Sequence, residues 1–308
     1  MKWLARAKKE QGWLVIDAAE ELRFVQGRAE AGGRAIIDAW KTSDPEYSQG
    51  GLERAAKASH FDRFQCATLL KSGDYQILQV EAPTVPPAEL KSAIRWRIKD
   101  MIDYHVDDAT LDVLDVPPAE GNARGHAMFA VAAKNEVIEA RIRAFEAANI
   151  PLKVIDIPET AQRNIAALYE TENRGIALLH VESASSLLTI NYRSELYLAR
   201  RLDIGLEQIG KFAPANRAEI FGRIQLELQR TFDHFDRQYS FVPLAKLLLG
   251  PDPEDCGLRE FLAANLGLPV EGIDLNDRMQ VAGGFDARAQ WQLFHLAGAS
   301  LRSEGRAL

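Results

Sequence analysis

The side chains best placed to do chemistry cluster where three apolar runs give way to turns. Asp17, Glu20 and Glu21 close and follow GWLVID, residues 12 to 17. His180 and Glu182 end GIALLHVE, residues 175 to 182, and Ser183, Ser185 and Ser186 come next. Gly250 and Pro251 follow LAKLLL, residues 244 to 249. Gathered in one cleft, His180 could act as a general base with Glu182 orienting it, which is hydrolase chemistry. No nucleophile elbow or metal motif accompanies that pair, so a solvated or structural role is the plainer reading. The six histidines are scattered without paired ligand spacing, and no metal site is expected. His234, between Phe232 and Phe235, reads as a packed helix residue, and no catalytic residue is assigned.

Bulk properties narrow the function. A chain of 308 residues can form two lobes with separate cores. A net charge of −7 disfavours nucleic acid, because a polyphosphate partner needs a basic face. Cys66 and Cys256 are far apart and read as reduced, buried thiols rather than a disulfide framework. No run approaches the roughly 20 apolar residues of a membrane span. The N-terminus, MKWLARAKKE, carries Lys2, Arg6, Lys8 and Lys9 but no apolar region after them, so it is not a signal peptide. With Trp3 and Leu4 it could touch an anionic membrane surface, although a solvated end is the plainer reading.

Hydrophobic periodicity supplies the elements that hold these residues. GWLVID, ELRFVQG (21 to 27) and RAIIDAW (34 to 40) read as a strand meander. A short helix, Leu52 to Ala58, and strands at Cys66 to Leu70 and Tyr75 to Val80 follow. Ser72, Gly73 and Asp74 between those two strands give a hairpin signal. Residues 83–157 read as an inserted α+β unit ending in the strand LKVIDI. The helix PETAQRNIAALYE then returns the chain to the first lobe. A second lobe opens with GIALLHVE, SLLTINY (186 to 192) and ELYLARRL (195 to 202). A long helix follows, Ala218 to Gln238, with Phe221, Ile224, Leu228, Phe232 and Phe235 on one stripe. LAKLLL, a helix from Cys256 to Leu266, a short strand at Leu268 to Val270 and a terminal helix from Asp286 complete it. The expected domains are 1–82 completed by 158–172, the insert 83–157, and 173–308. Each lobe begins with a meander and continues into helices and strands, an α/β duplication of topology.

Within the insert, residues 82 to 106 read APTVPPAELKSAIRWRIKDMIDYHV. Pro83, Pro86 and Pro87 stop a strand, and Pro86 and Pro87 suit a helix start. Leu90, Ile94, Ile98 and Met101 form a buried helical stripe, and Trp96 points away from it, close to Ser92, Lys99 and Asp103. Trp96 therefore packs on another part of the chain or lines a partner groove.

This segment resembles the PilM and MshI proteins of type IV pilus assembly. In that family a proline-containing turn leads to an Ile/Val-Arg-Trp core and an acidic, aromatic exit. Here those residues are Ile94, Arg95 and Trp96, then Ile102, Asp103 and Tyr104. The likeness extends more weakly over most of the chain and is closer to MshI, of the mannose-sensitive haemagglutinin (MSHA) pilus system. It implies an actin-like two-lobe fold of ribonuclease H-like duplicated domains, with a small α+β subdomain in the first lobe. It also implies a cytoplasmic protein peripheral to the inner membrane. Its partner would be the N-terminal cytoplasmic tail of a single-pass inner-membrane protein similar to PilN or MshJ. In the family that tail lies in a groove between the first lobe and its insert, and Trp96, Lys99 and Tyr104 are the candidate contacts.

The same resemblance locates three nucleotide-binding turns, and each departs from the pattern. Asp17 matches the acidic residue of the first, but Ala19 stands for a glycine, and Glu20 and Glu21 stand for small hydroxyl residues. In the second, His180 replaces an Asp and Glu182 a Gly. In the third, only Gly250 remains of a glycine run, and Pro251 lacks an N–H donor. Asp17, Ser183, Ser185 and Gly250 are what is left to hold a nucleotide. Carboxylates in a phosphate seat repel the ligand. The expectation is a pseudo-ATPase scaffold with no cofactor, ATP and Mg²⁺ being disfavoured. The alternative is an ATP-driven actin-like switch of the same machinery. A cytoplasmic domain of the related type II secretion platform would call for a transmembrane helix after the second lobe, where this chain ends in the polar SEGRAL.

Overall fold

A computed structural model describes residues 11–18, 21–30, 33–42, 51–119, 126–171, 173–213 and 216–303. Expectations for the first ten residues, Ala19 and Glu20 lie outside the described residues. In chain order the elements begin with strands β1 (Trp13–Asp17), β2 (Arg23–Ala29) and β3 (Ala35–Lys41), then α1 (Gly51–Ala58), β4 (Gln65–Leu69), β5 (Tyr75–Glu81) and α2 (Leu90–Ile98). Next come β6 (Ala109–Val116), β7 (Ala127–Lys134), α3 (Asn135–Ala147), β8 (Leu152–Asp156) and α4 (Pro158–Ala167). Then follow β9 (Gly175–Val181), β10 (Ser186–Tyr192), β11 (Glu195–Leu202), α5 (Leu206–Gly210), α6 (Arg217–Gln238) and β12 (Leu244–Leu249). The last are α7 (Leu258–Asn265), β13 (Val270–Gly272), α8 (Leu275–Arg278), β14 (Met279–Val281) and α9 (Ala287–Ser300).

Two sheets repeat one strand plan. In the first, the order is β14-β3-β2-β1-β4-β8, and in the second β11-β10-β9-β12-β13. In both, an antiparallel meander places its first strand beside a parallel one: β1 pairs with β4, and β9 with β12. A further parallel strand follows, β8 or β13. Central strands lie between layers, which is why β9 and β10 are buried throughout, apart from half-buried Val181, with His180, Ser186, Thr189 and Asn191 buried among their apolar residues.

The inner faces of the two sheets share one core. Trp13, Val15 and Val25 from the first, and Ile176, Leu178 and Leu248 from the second, pack with Ala161 and Ile165 of α4 and Leu293 and Phe294 of α9. Pro158 opens α4 at a position where its missing N–H is no loss. Outside the first sheet, Phe145 of α3 and Ala55 and Ala56 of α1 cover Leu14, Ile16 and Cys66. Outside the second sheet, α6 buries Ile220, Phe221, Ile224, Leu228 and Phe235. Burying each of these large side chains contributes on the order of 2 kcal/mol before ordering costs are set against it.

The structure corrects several local readings. Ser72–Gly73–Asp74 does form a turn, with Asp74 N–H donating to Lys71 O at 3.0 Å, but it does not pair the strands on either side. Both edges of β4 are taken, by β1 and β8, so β5 pairs with β7 in a separate sheet of order β5-β7-β6. The strand read as the end of the insert, β8, extends the first sheet. Residues 279–300, read with the second lobe, add β14 beside β3 and lay α9 against β1 and β2. The stripe of α2 also ends early. The helix stops at Ile98, Met101 is exposed, and Ile102 fills the core with Ile94 and Ile98.

The insert leans on the second lobe as well as the first. One face of its sheet is covered by α2, around Val80, Ile94, Ile98 and Met128. From the other, Val116 and Phe129 join the second-lobe core beside Tyr197 and Leu202. Among the described residues no helix is long and apolar enough to cross a membrane.

Candidate functional site

The turn between β9 and β10 is fixed by its own backbone and by α5. Glu182 N–H donates to Ser185 O at 2.9 Å. The N–H groups of Leu206 and Glu207, at the start of α5, donate to Glu182 O and Ser183 O, each at 2.9 Å. Gly205 is needed for this approach, since a Cβ there would stand 2.4 Å from Ser183 O. The first free N–H groups of α5 are thus spent on the turn.

Where the resemblance expects bare backbone, the Glu182 side chain is tied down on several sides. Its carboxylate accepts from Ser185 Oγ at 3.2 Å and Arg201 Nη1 at 3.1 Å. His295 Nδ1 of α9 lies 3.4 Å from its other oxygen. Arg201 Nη2 also donates to Glu159 Oε1 at 3.2 Å and to the Tyr75 hydroxyl at 3.0 Å. Tyr75 in turn donates to Glu159. Beneath this cluster, Gln162 Nε2 donates to Leu178 O and Leu187 O at 2.8 and 3.1 Å, and His295 Nε2 meets Gln162 Oε1 at 3.3 Å.

Burial sets the electrostatics. It holds the Glu159 carboxyl above its usual range, with Arg201 pulling the other way. Burial works against the Arg201 charge, but Tyr75, Glu159 and Glu182 outweigh it and hold the guanidinium more firmly protonated. The Tyr75 hydroxyl is pushed up by burial and then by Glu159. His180 and His295 are driven down to about 3, by burial first and then by His295 and Arg201 respectively. Buried neutral imidazoles make poor general bases at neutral pH. His180 also stacks on Phe294 at 4.2 Å between ring centroids, with Nδ1 buried and unpartnered.

Of the four candidate nucleotide residues, only Gly250 lines the cavity of about 310 Å³ at the carboxyl ends of β9, β12 and β13. Gly250 is bare because His180 lies against it: a Cβ there would meet His180 Nδ1 at 2.4 Å. Asp252, Asp255 and Asp274 bring carboxylates to the cavity wall, and its cation, Arg259, is bonded to Glu260 at 2.7 and 2.9 Å. Ser183 and Ser185 belong to the β9–β10 turn. Asp17 ends β1 in the first sheet and pairs with Arg23 at 2.7 Å. Among the described residues no group of three or more His, Cys, Asp or Glu side chains is arranged to hold a metal ion.

A family model described as "Type IV pilus assembly protein PilM" matches residues 65–211, from β4 to just past α5. No curated protein matches the chain. Among solved structures, the chain is similar to one titled as a PilM-PilN type IV pilus biogenesis complex, at 17% identity and a TM-score of 0.68, over 95% of this chain and 98% of that one. It also matches the cytoplasmic domain of EpsL, an inner-membrane component of the Vibrio cholerae type II secretion system. That match has 13% identity and a TM-score of 0.49, over 92% of this chain and 94% of that one. A Bacteroides thetaiotaomicron protein with an actin-like ATPase fold matches at 10% identity and a TM-score of 0.49, over 96% and 99%.

The fold is actin-like. The repeated strand plan and the first of these likenesses carry that conclusion.

The three candidate partner contacts occupy two environments. Trp96 is 71% exposed, and Lys99 Nζ lies over its ring at 5.5 Å. Tyr104 is half-buried against the insert core, with Lys134 Nζ 5.6 Å from its ring centre and its hydroxyl buried and unpartnered. Arg95, which the motif sets beside Trp96, turns inward and donates to Val106 O and to Ala109 O, the latter at 3.1 Å. Sequence reasoning missed Tyr75, Glu159, Gln162 and Arg201. A signal for the last was present: two successive arginines in a strand must point to opposite faces, so one of Arg200 and Arg201 faces inward.

Proposed function

We propose that this protein is a scaffold of type IV pilus assembly that docks the cytoplasmic tail of a PilN-like inner-membrane protein. The observation that carries the reading is the family match over residues 65–211, which takes in the whole insert, α4 and the second-lobe meander. The likeness to the PilM-PilN structure is consistent with it. The finer assignment is an MshI-type protein of an MSHA-type pilus, cytoplasmic and peripheral to the inner membrane, with an MshJ-like partner. It rests on the resemblance of residues 82 to 106.

In this reading the two-lobe body is a pseudo-ATPase. Glu182 stands in the phosphate hairpin and is held there by Arg201, Ser185 and His295. The carboxylates on the cavity wall disfavour a polyphosphate further. Asp17, Ser183, Ser185 and Gly250 remain as vestiges of a nucleotide cleft. A working ATP switch is the competing reading.

The tail would bind as an extended segment with a few apolar anchors. Trp96 and Lys99 supply an aromatic surface with a cation beside it, and Tyr104, half-buried beside Lys134, is the third candidate contact. The test is binding of a synthetic partner tail to the full chain. Trp96→Ala should weaken binding about tenfold or more, the scale of an exposed aromatic anchor. Binding equal to wild type would remove Trp96 from the docking surface.

A further inference from the structure

Arg201 belongs to β11 of the second lobe, yet its guanidinium serves three separate parts of the chain. Nη1 donates to Glu182 in the β9–β10 turn at 3.1 Å. Nη2 donates to Glu159 in the first turn of α4 at 3.2 Å, and to Tyr75, the first residue of the insert strand β5, at 3.0 Å. Tyr75 closes the ring by donating to Glu159. Glu159 is fully buried and the Tyr75 ring nearly so. A guanidinium suits this role because its donors are fixed in one plane and several can be used at once.

The ring sits beside a wider contact. Val116 and Phe129 of the insert enter the second-lobe core, and Gln79 Nε2 of β5 donates to the Tyr239 hydroxyl at 2.6 Å. Separating the insert from the second lobe would strand Glu159 and Arg201 without one of their partners. The cost of leaving a buried charge underpaired exceeds the net worth of the pair itself.

We infer that Arg201 is a latch that holds the inserted sheet on the second lobe in a single arrangement, with Tyr75 and Glu159 as its catch. The bridging uses only the chain's own side chains. It does not depend on the identity of any partner, so it stands or falls apart from the pilus reading.

Hydrogen exchange on the full chain tests it, with Arg201→Met and Tyr75→Phe compared to wild type. In Arg201→Met the amides of residues 75–81 should exchange about tenfold faster or more, the scale expected for losing hydrogen bonds to a charged group. Residues 182–186 should follow, while residues 13–17 and 23–29 of the first sheet keep wild-type rates. Tyr75→Phe keeps the ring and removes one hydroxyl, so it should give the same pattern at smaller amplitude. Wild-type rates at 75–81 in both variants would overturn the latch. Equal acceleration in 13–17 and 75–81 would overturn it too, making Arg201 a general stabiliser. If Arg201→Met does not fold, Tyr75→Phe decides alone by the same two comparisons.

Discussion

At the scale of single residues, burial of polar groups in the interlobe core makes stability depend on pH. His180 has its ring against Phe294 and is driven down to about 3, first by burial and then by His295. In the unfolded chain it titrates near 6.5. Below that pH the unfolded state takes up a proton that the folded state refuses. The contribution is therefore complete above about pH 6.5 and is lost as pH falls towards 3, at up to about 1.4 kcal/mol per pH unit. His295 is driven down in the same way and adds a like slope. Denaturant unfolding at pH 7 and pH 5 should show both in wild type, and His180→Phe, which keeps a ring on Phe294, should reduce the slope by about half and leave the His295 part. An unchanged slope in the variant would mean that His180 titrates normally. The sequence marked His180 as out of place, but only the structure shows why. The residue fills the space beside Gly250 and stacks on a helix more than 100 residues away. Arg201 was harder still to read, because its partners at 75, 159 and 182 are joined only by the fold.

At the scale of elements, α4 and α9 cross closely enough to need a glycine. A Cβ on Gly298 would stand 2.2 Å from Ala161 O and 3.0 Å from Ile165 Cγ1. Alanine is favoured over glycine inside a helix by about 1 kcal/mol, so an uncrowded site would gain stability from Gly298→Ala. Here the obstacle is backbone, which cannot swing aside, and overpacking should win by about 2 kcal/mol net. Chemical denaturation measures this, and a stabilised variant would show that the two helices are not in close contact. The repeated meanders were legible because β1 and β9 are apolar runs bounded by turns. The partners of β4 and β5 were not, because a turn signal records a change of direction and not which strand is beside which. The three-residue β14 carries too little periodicity to announce a parallel pairing with β3 from the far end of the chain.

At the scale of the whole molecule, two repeated sheets close on α4 and α9, and a third, smaller sheet is seated against the second lobe. We propose that the cleft is degenerate. Glycines that would bare the backbone are replaced, and the replacement at 182 is engaged by Arg201 and His295. In the proposed pseudo-ATPase the cleft is held by the chain's own side chains and takes no ATP. Calorimetric titration of the full chain with ATP and Mg²⁺ tests it most directly. No saturable heat up to millimolar nucleotide is expected, whereas saturable micromolar binding would contradict the pseudo-ATPase proposal and bring forward the nucleotide-switch reading.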